Sequence, residues 1–219
     1  MVKFQVFTSD LAYLIKELMD FLIKGAHMNP AVSLTQLLLG KMSIIKFIIY
    51  FIGQSIGAFL GSVVVYVVYI DELNAFDGGT RCTTCANATA GIWATYPSAE
   101  LTIRGGFFDQ FFGTALLVLV VLAVTDSKNA EISHGLAALL IGSTIFLIGM
   151  SFGMNCGYAI NPIRDFIPRF FTSISGWGAE VYTAYNYFFW IPIVGPFAGA
   201  IFSTLLYAIF IENHWPDSE

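Results

Sequence analysis

Two dipeptides carry the strongest chemical signal in the sequence. Asn29-Pro30 opens the run Asn29-Pro30-Ala31-Val32-Ser33-Leu34, and Asn161-Pro162 opens Asn161-Pro162-Ile163-Arg164-Asp165. Asn is a favoured N-cap because its side-chain oxygen accepts an otherwise unpaired backbone N–H, and Pro suits the first helical position, where an N–H would have no partner. Each dipeptide therefore starts a helix and fixes an amide side chain at its tip. The chemistry on offer is hydrogen-bond donation, not bond making. No nucleophile elbow, phosphate-cradling loop or metal-ligand cluster occurs, so the sequence reads as a non-enzyme with no cofactor and no metal. Cys82-Thr83-Thr84-Cys85 lacks the second pair that a zinc site needs, which leaves free thiols or a local disulfide. Cys156 reads as a packed thiol or a mercurial-reactive one.

The elements that must position these tips are set by an apolar composition. Of 219 residues 57% are hydrophobic and 11% charged, against about 25% charged in a soluble domain. Mean hydropathy is +0.73. This excludes an ordinary soluble enzyme and makes the lipid bilayer the expected surroundings. The net charge of −5, with no basic run, argues against nucleic acid as a partner. A membrane-crossing helix needs about 20 apolar residues, and four windows qualify: Phe47–Ile70, Phe107–Thr125, Ile132–Phe152 and Tyr187–Ile211. Lys41 and Lys46 flank the first, whereas acidic residues predominate in the 71–106 loop, so the positive-inside rule places that loop outside. The sequon Asn87-Ala88-Thr89 in the same loop is a candidate glycosylation site and agrees with that side. Residues 1–24 read as a divergent segment, a span or an interfacial helix, because Asp10, Lys16, Glu17 and Asp20 interrupt their apolar run. No cleavable signal peptide is expected there.

Both Asn-Pro helices are too short to cross. At 1.5 Å per residue, ten residues reach about 15 Å, half of a hydrocarbon core of roughly 30 Å. Such broken helices are tolerated only where they line a cavity or are buried in protein, and a pair of them in corresponding halves points to a permeation site. The halves do correspond: Gly53-x-x-x-Gly57-Ala58-x-x-Gly61 follows the first Asn-Pro helix, and Gly195-x-x-x-Gly199-Ala200-x-x-Ser203 follows the second. The organisation expected is residues 25–106 as the first repeat and 107–219 as the second. The second has 54 residues from Phe107 to Asn161, whereas only 28 precede Asn29, so one span is expected to be missing from the first repeat.

The two loops Gly25-Ala26-His27-Met28-Asn29-Pro30-Ala31-Val32-Ser33 and Gly157-Tyr158-Ala159-Ile160-Asn161-Pro162-Ile163-Arg164-Asp165 resemble the paired Asn-Pro-Ala loops of the major intrinsic protein family. The likeness runs from about Gly25 to the C-terminus. Asp165 after Arg164, together with Tyr96, Arg169 and Pro192, is similar to the aquaglyceroporin subgroup. The resemblance implies an all-α membrane protein with an aquaporin-like inverted repeat, first helix missing and second divergent. It also implies a multi-pass protein of the plasma membrane that assembles as a homotetramer or with relatives.

The same resemblance implies passive conduction of glycerol, small uncharged solutes and water. Oppositely directed half-helices, each with about +0.5 of a charge at its N-terminus, would repel cations at the centre. There Asn29 and Asn161 would donate to a passing oxygen. Pro30, Ala31, Pro162 and Ile163 would line the meeting point, with the bulk of Ile163 narrowing it. On the outer side Arg164 would donate to hydroxyls, Tyr158 would wall the carbon backbone, and Gly149 would leave the room that a water-selective member fills with His. Ser9 would complete that wall by spacing. Asp165 would hold loop geometry, His27 and Gln110 would brace the loops, and Gln110 stands where relatives carry Glu. The other reading is a non-conducting chain that acts only by assembling with full-length relatives.

Overall fold

The structure is a computed structural model that describes residues 27–129 and 132–215. All its elements are helical. In chain order they are α1 (Pro30–Leu38), α2 (Ile44–Val68), α3 (Ile70–Asp77), α4 (Ile103–Thr125), α5 (His134–Cys156), α6 (Pro162–Thr172), α7 (Glu180–Tyr187) and α8 (Ile191–Phe210). Four stretches, α2, α4, α5 and the run from Glu180 to His214 that contains α8, are long and apolar enough to cross a bilayer.

Side-chain caps explain where the spans begin. Ser43, Thr102 and Ser133 each accept a backbone N–H three residues on, which moves α2 back to Ile44, α4 back to Ile103, and the start of α5 forward to His134. The expectation for α5 ended at Phe152, but the helix runs one turn further to Cys156 and stops at Gly157, whose φ of 76° is left-handed. The last span starts at Ile191, later than the Tyr187 expected. Tyr185, Asn186 and Tyr187 all have positive φ and break the helix before Pro192 can sit in its first turn. The 71–106 loop, expected to be irregular, opens with the helix α3.

Packing is unequal between the spans. Half of the apolar window of α4 is buried, against 6% for α2 and 11% for α5. The core lies where α4, α5 and α8 meet the first half-helix and the loop before the second: Ala31, Val118, Leu122, Ile148, Ile160 and Ala200 form one cluster. Small residues bring α8 against α4. A Cβ on Gly195 would meet Gln110 Cβ at 2.8 Å, and one on Gly199 would collide with the Phe111 carbonyl. In lipid, where apolar burial between helices gains little, such close backbone approach is the main source of association.

A second cluster fixes the long loop over α6. Trp93 and Trp177 meet edge to face at 5.1 Å beside Phe171 and Tyr66, and the Trp93 indole donates to the Ser62 carbonyl at 3.2 Å. Arg81 pairs with Asp77 at 2.5 Å and lies over the Tyr66 and Trp177 rings. Cys82 and Cys85 form a disulfide, and the neighbouring Thr83 N–H and Thr84 hydroxyl donate to Glu180 at 3.2 and 2.6 Å.

Candidate permeation site

The two half-helices begin as their sequence dictates. Asn29 is extended, with φ −148°, and its Oδ1 accepts from Ala31 N at 2.9 Å; Asn161, with φ −152°, accepts from Ile163 N and Arg164 N, both at 3.2 Å. Their amide nitrogens make contacts that no local pattern announces. Asn29 Nδ2 donates to the Ile160 carbonyl at 2.9 Å, and Asn161 Nδ2 donates to the Met28 carbonyl at 2.8 Å. Each Asn thus grips the residue that precedes the other.

Backbone strain makes the exchange possible. Met28 and Ile160, the residues before each Asn, have φ of 43° and 41°, which turns their carbonyls out of the loop and toward the opposite tip. A left-handed conformation costs roughly 1–2 kcal/mol outside glycine, so the reciprocal bonds offset a real penalty at a β-branched residue such as Ile160. Each Asn amide carries two N–H groups, and the cross-bond uses one.

Around the second tip the packing is polar and buried. Asp165 accepts from Thr95 N at 2.6 Å and from the Thr95 hydroxyl at 2.5 Å, and it pairs with Arg169 at 2.9 Å. Arg169 is 1% exposed, donates to the Val181 and Thr95 carbonyls, and lies 4.5 Å from the centre of the Tyr96 ring. Burial, first, pushes the Tyr96 phenol above its ordinary range, with the Arg169 cation pulling the other way. Asp165 is 0% exposed and clamps α6 to the loop above it.

Arg164 is half-buried and donates to the Trp93 carbonyl at 3.3 Å. One bond cannot occupy five N–H donors. The room expected at Gly149 is filled, not open: a Cβ there would lie 2.8 Å from Tyr158 Cζ, so the ring of Tyr158 rests on the α5 backbone beside Gly149 and Gly153. Gly149 therefore acts by seating Tyr158. Ile163 is 4% exposed, and Pro30, Ala31 and Pro162 are buried as well.

The braces differ between loops. Gln110 Oε1 accepts from Ile160 N at 2.8 Å, directly behind Asn161. In the first loop His27 Nδ1 and Gln54 Nε2 each reach Ser33 Oγ at 3.3 Å. Ser9 lies outside the described residues, as does the expectation of a divergent first segment. Sequence reasoning missed Asp109, 6% exposed beside Gln110, which has no local motif to mark it except an acid inside an apolar span.

The geometry is that of a helical membrane protein with a pair of half-helices, each capped by Asn and bonded to the residue before the other's cap. The family model described as Major intrinsic protein matches residues 4–207, and the chain belongs to this family. The match begins at residue 4, well before the Gly25 at which the sequence resemblance was placed.

Human Aquaporin-9 is 44% identical over 197 residues, covering 90% of this chain and 67% of that protein. Aquaporin-2 of Milnesium tardigradum is 42% identical over 217 residues, 99% of this chain and 67% of that protein, and human Aquaporin-10 is 40% identical over 195 residues, 89% and 65%. The chain spans about two thirds of the length of these relatives. Among solved structures, the aquaglyceroporin from Plasmodium falciparum has a TM-score of 0.81 at 31% identity, covering 92% of this chain and 79% of that one. The protein is therefore a multi-pass membrane protein with the aquaporin fold.

Proposed function

We propose that this chain is a passive channel for glycerol, other small uncharged polyols and water, without cofactor. The observation that carries this reading is the reciprocal pair of bonds from Asn29 to Ile160 and from Asn161 to Met28. It fixes two positive helix ends tip to tip and leaves each amide a second N–H for a passing oxygen. A neutral hydroxyl gains donors there, while a cation meets the same donors and two positive helix ends. Arg164 adds spare guanidinium donors on the side of the 71–106 loop, and Tyr158, seated on Gly149, offers a ring face to a carbon chain.

The apolar faces of α2 and α5 turn outward, where lipid or neighbouring protomers of a tetramer cover them. The likeness to aquaporins supports the tetramer and the plasma membrane. Asn87 is exposed on the loop that this orientation puts outside the cell, and we assign it as the glycosylation acceptor.

The test is osmotic. Vesicles carrying the purified chain should re-swell in a glycerol gradient faster than protein-free vesicles. Arg164→Ala should lower the glycerol rate by about tenfold, the loss expected for hydrogen bonds to a charged donor. Rates equal to the lipid background would overturn the proposal in favour of a chain that acts only in assemblies with relatives.

A further inference from the structure

Asp109 is buried, and among the described residues no cation pairs with it. Its carboxylate instead accepts three hydrogen bonds: Asn155 Nδ2 at 2.7 Å, Gln110 Nε2 at 3.0 Å and the Cys156 thiol at 3.2 Å. These donors come from two spans, because Asn155 and Cys156 end α5 while Gln110 is on α4. The Asn155 carbonyl in turn accepts from Ser98 N in the long loop at 2.8 Å. A buried carboxylate is expensive unless it is satisfied, so this one is held for a reason.

The reason lies in the next residue. A backbone N–H can only donate, so the Gln110 atom that faces Ile160 N at 2.8 Å must be its oxygen. The amide nitrogen must then point the other way, where it finds Asp109 Oδ2 and, at 3.1 Å, Cys156 Sγ. The carboxylate at position 109, a far stronger acceptor than the Cys156 sulfur, stabilises that orientation. The chain of bonds then continues without a break from Asp109 to Gln110, from Gln110 to Ile160 N, and from the Ile160 carbonyl to Asn29.

We propose that Asp109 is a positioning residue for permeation: its carboxylate orients the Gln110 amide, which holds Ile160 in the strained conformation that presents Asn161 and accepts from Asn29. The proposal rests on the reading of the paired Asn tips as the permeation site. It moves the anionic brace of the second loop from position 110, where the resemblance implies Glu in relatives, to position 109, with Gln110 as a relay.

The relay makes a specific demand on donors and acceptors. Asp109→Asn keeps the shape but leaves one acceptor oxygen for the two amides of Asn155 and Gln110, so one of them must face an NH₂; where Gln110 turns over to escape, its NH₂ meets the Ile160 N–H instead. Gln110→Glu alone places two carboxylates side by side in a buried site. The double variant D109N/Q110E resolves both conflicts, because the carboxylate at 110 accepts from the new amide and from Ile160 N–H. Net charge and volume are unchanged.

All four forms of the full chain are reconstituted in vesicles and read in two ways, by glycerol permeability and by hydrogen–deuterium exchange of the peptide spanning 157–163. Each single variant should exchange on the order of tenfold faster in that peptide, as expected for a lost buried bond, and conduct correspondingly less, and the double variant should return to within about twofold of the parent. Exchange in D109N equal to the parent, or a double variant no better than D109N, overturns the proposal. If a single variant does not fold, recovery of folded protein in the double variant supports the relay and failure to recover overturns it. A parent chain that passes no glycerol refutes the channel reading, while the exchange pattern still decides the role of Asp109.

Discussion

The two repeats carry the same spacing of small residues and use it differently. On α8, Gly195 and Gly199 lie against the backbone of α4, so closely that neither tolerates a Cβ. On α2, Gly53, Gly57 and Gly61 meet nothing within 4 Å among the described residues. The loops differ in the same sense. Among the described residues, the second tip is held by the short bonds of Gln110, Asp165 and Arg169, and the first by the 3.3 Å contacts of His27 and Gln54 to Ser33 and the 3.1 Å bond of Thr204 to Thr35. A small-residue stripe therefore prescribes a surface for a partner helix, and the partner determines how tightly the attached half-helix is held. The bonds from Asn29 to Ile160 and from Asn161 to Met28 couple the two tips.

The sharpest way to break this comparison is to substitute both stripes alike. Gly199→Leu should abolish accumulation of folded protein, since its side chain has no space against Phe111. Gly57→Leu should shift stability by less than about 1 kcal/mol, because no described residue lies within 4 Å of the added side chain's first carbon. Yield of monodisperse protein in detergent reads both. Equal damage at Gly57 would mean that its face is covered as tightly as that of Gly199.

Next in size is the clamp of the second repeat. Arg169→Ala leaves Asp165 buried without its cation, and removal of one partner of a buried pair costs about 3–5 kcal/mol. Thermal unfolding in detergent should fall accordingly, whereas His27→Ala, in the looser loop, should cost a fraction of that.

Gly149→Ala is smaller and more local. Its methyl group would displace the Tyr158 ring at a cost of about 1–3 kcal/mol. The ratio of glycerol to water permeability should drop while the fold persists. An unchanged ratio would remove Tyr158 from the solute path.

The smallest effect concerns Asp126, which ends α4 away from the permeation site. Burial alone would raise its carboxyl, but the Lys128 N–H, the Tyr207 hydroxyl and the Trp215 indole outweigh that and hold it below its ordinary value. With the folded-state value depressed, the stabilisation is present above the unfolded value of about 3.9 and is lost as pH falls through the lower folded one. Stability of the parent should therefore decline below about pH 4 more steeply than that of Asp126→Asn.

What could be read in the sequence was whatever is local. Asn29 and Asn161 announce their helices because capping and a first-turn Pro act within three residues, and Gly157 ends α5 for the same kind of reason. The tip-to-tip bonds were illegible, because the left-handed turns at Met28 and Ile160 are imposed on residue types that avoid them and are stabilised by atoms more than 130 positions away. Gly149 was legible as a position but not in its action, since only the folded chain shows Tyr158 lying on it. Asp109 looked like one charge in an apolar run until its donors assembled from α4 and the end of α5.

Two half-helix tips, each bonded to the residue before the other, should pass uncharged hydroxyls and refuse positive ions. The measurement that tests it most directly follows glycerol entry and proton and potassium conductance in the same vesicles carrying this chain. The account predicts rapid glycerol entry with ion conductance at the level of protein-free lipid. Glycerol entry at the lipid level, or ion conductance that rises with the amount of protein, would contradict it.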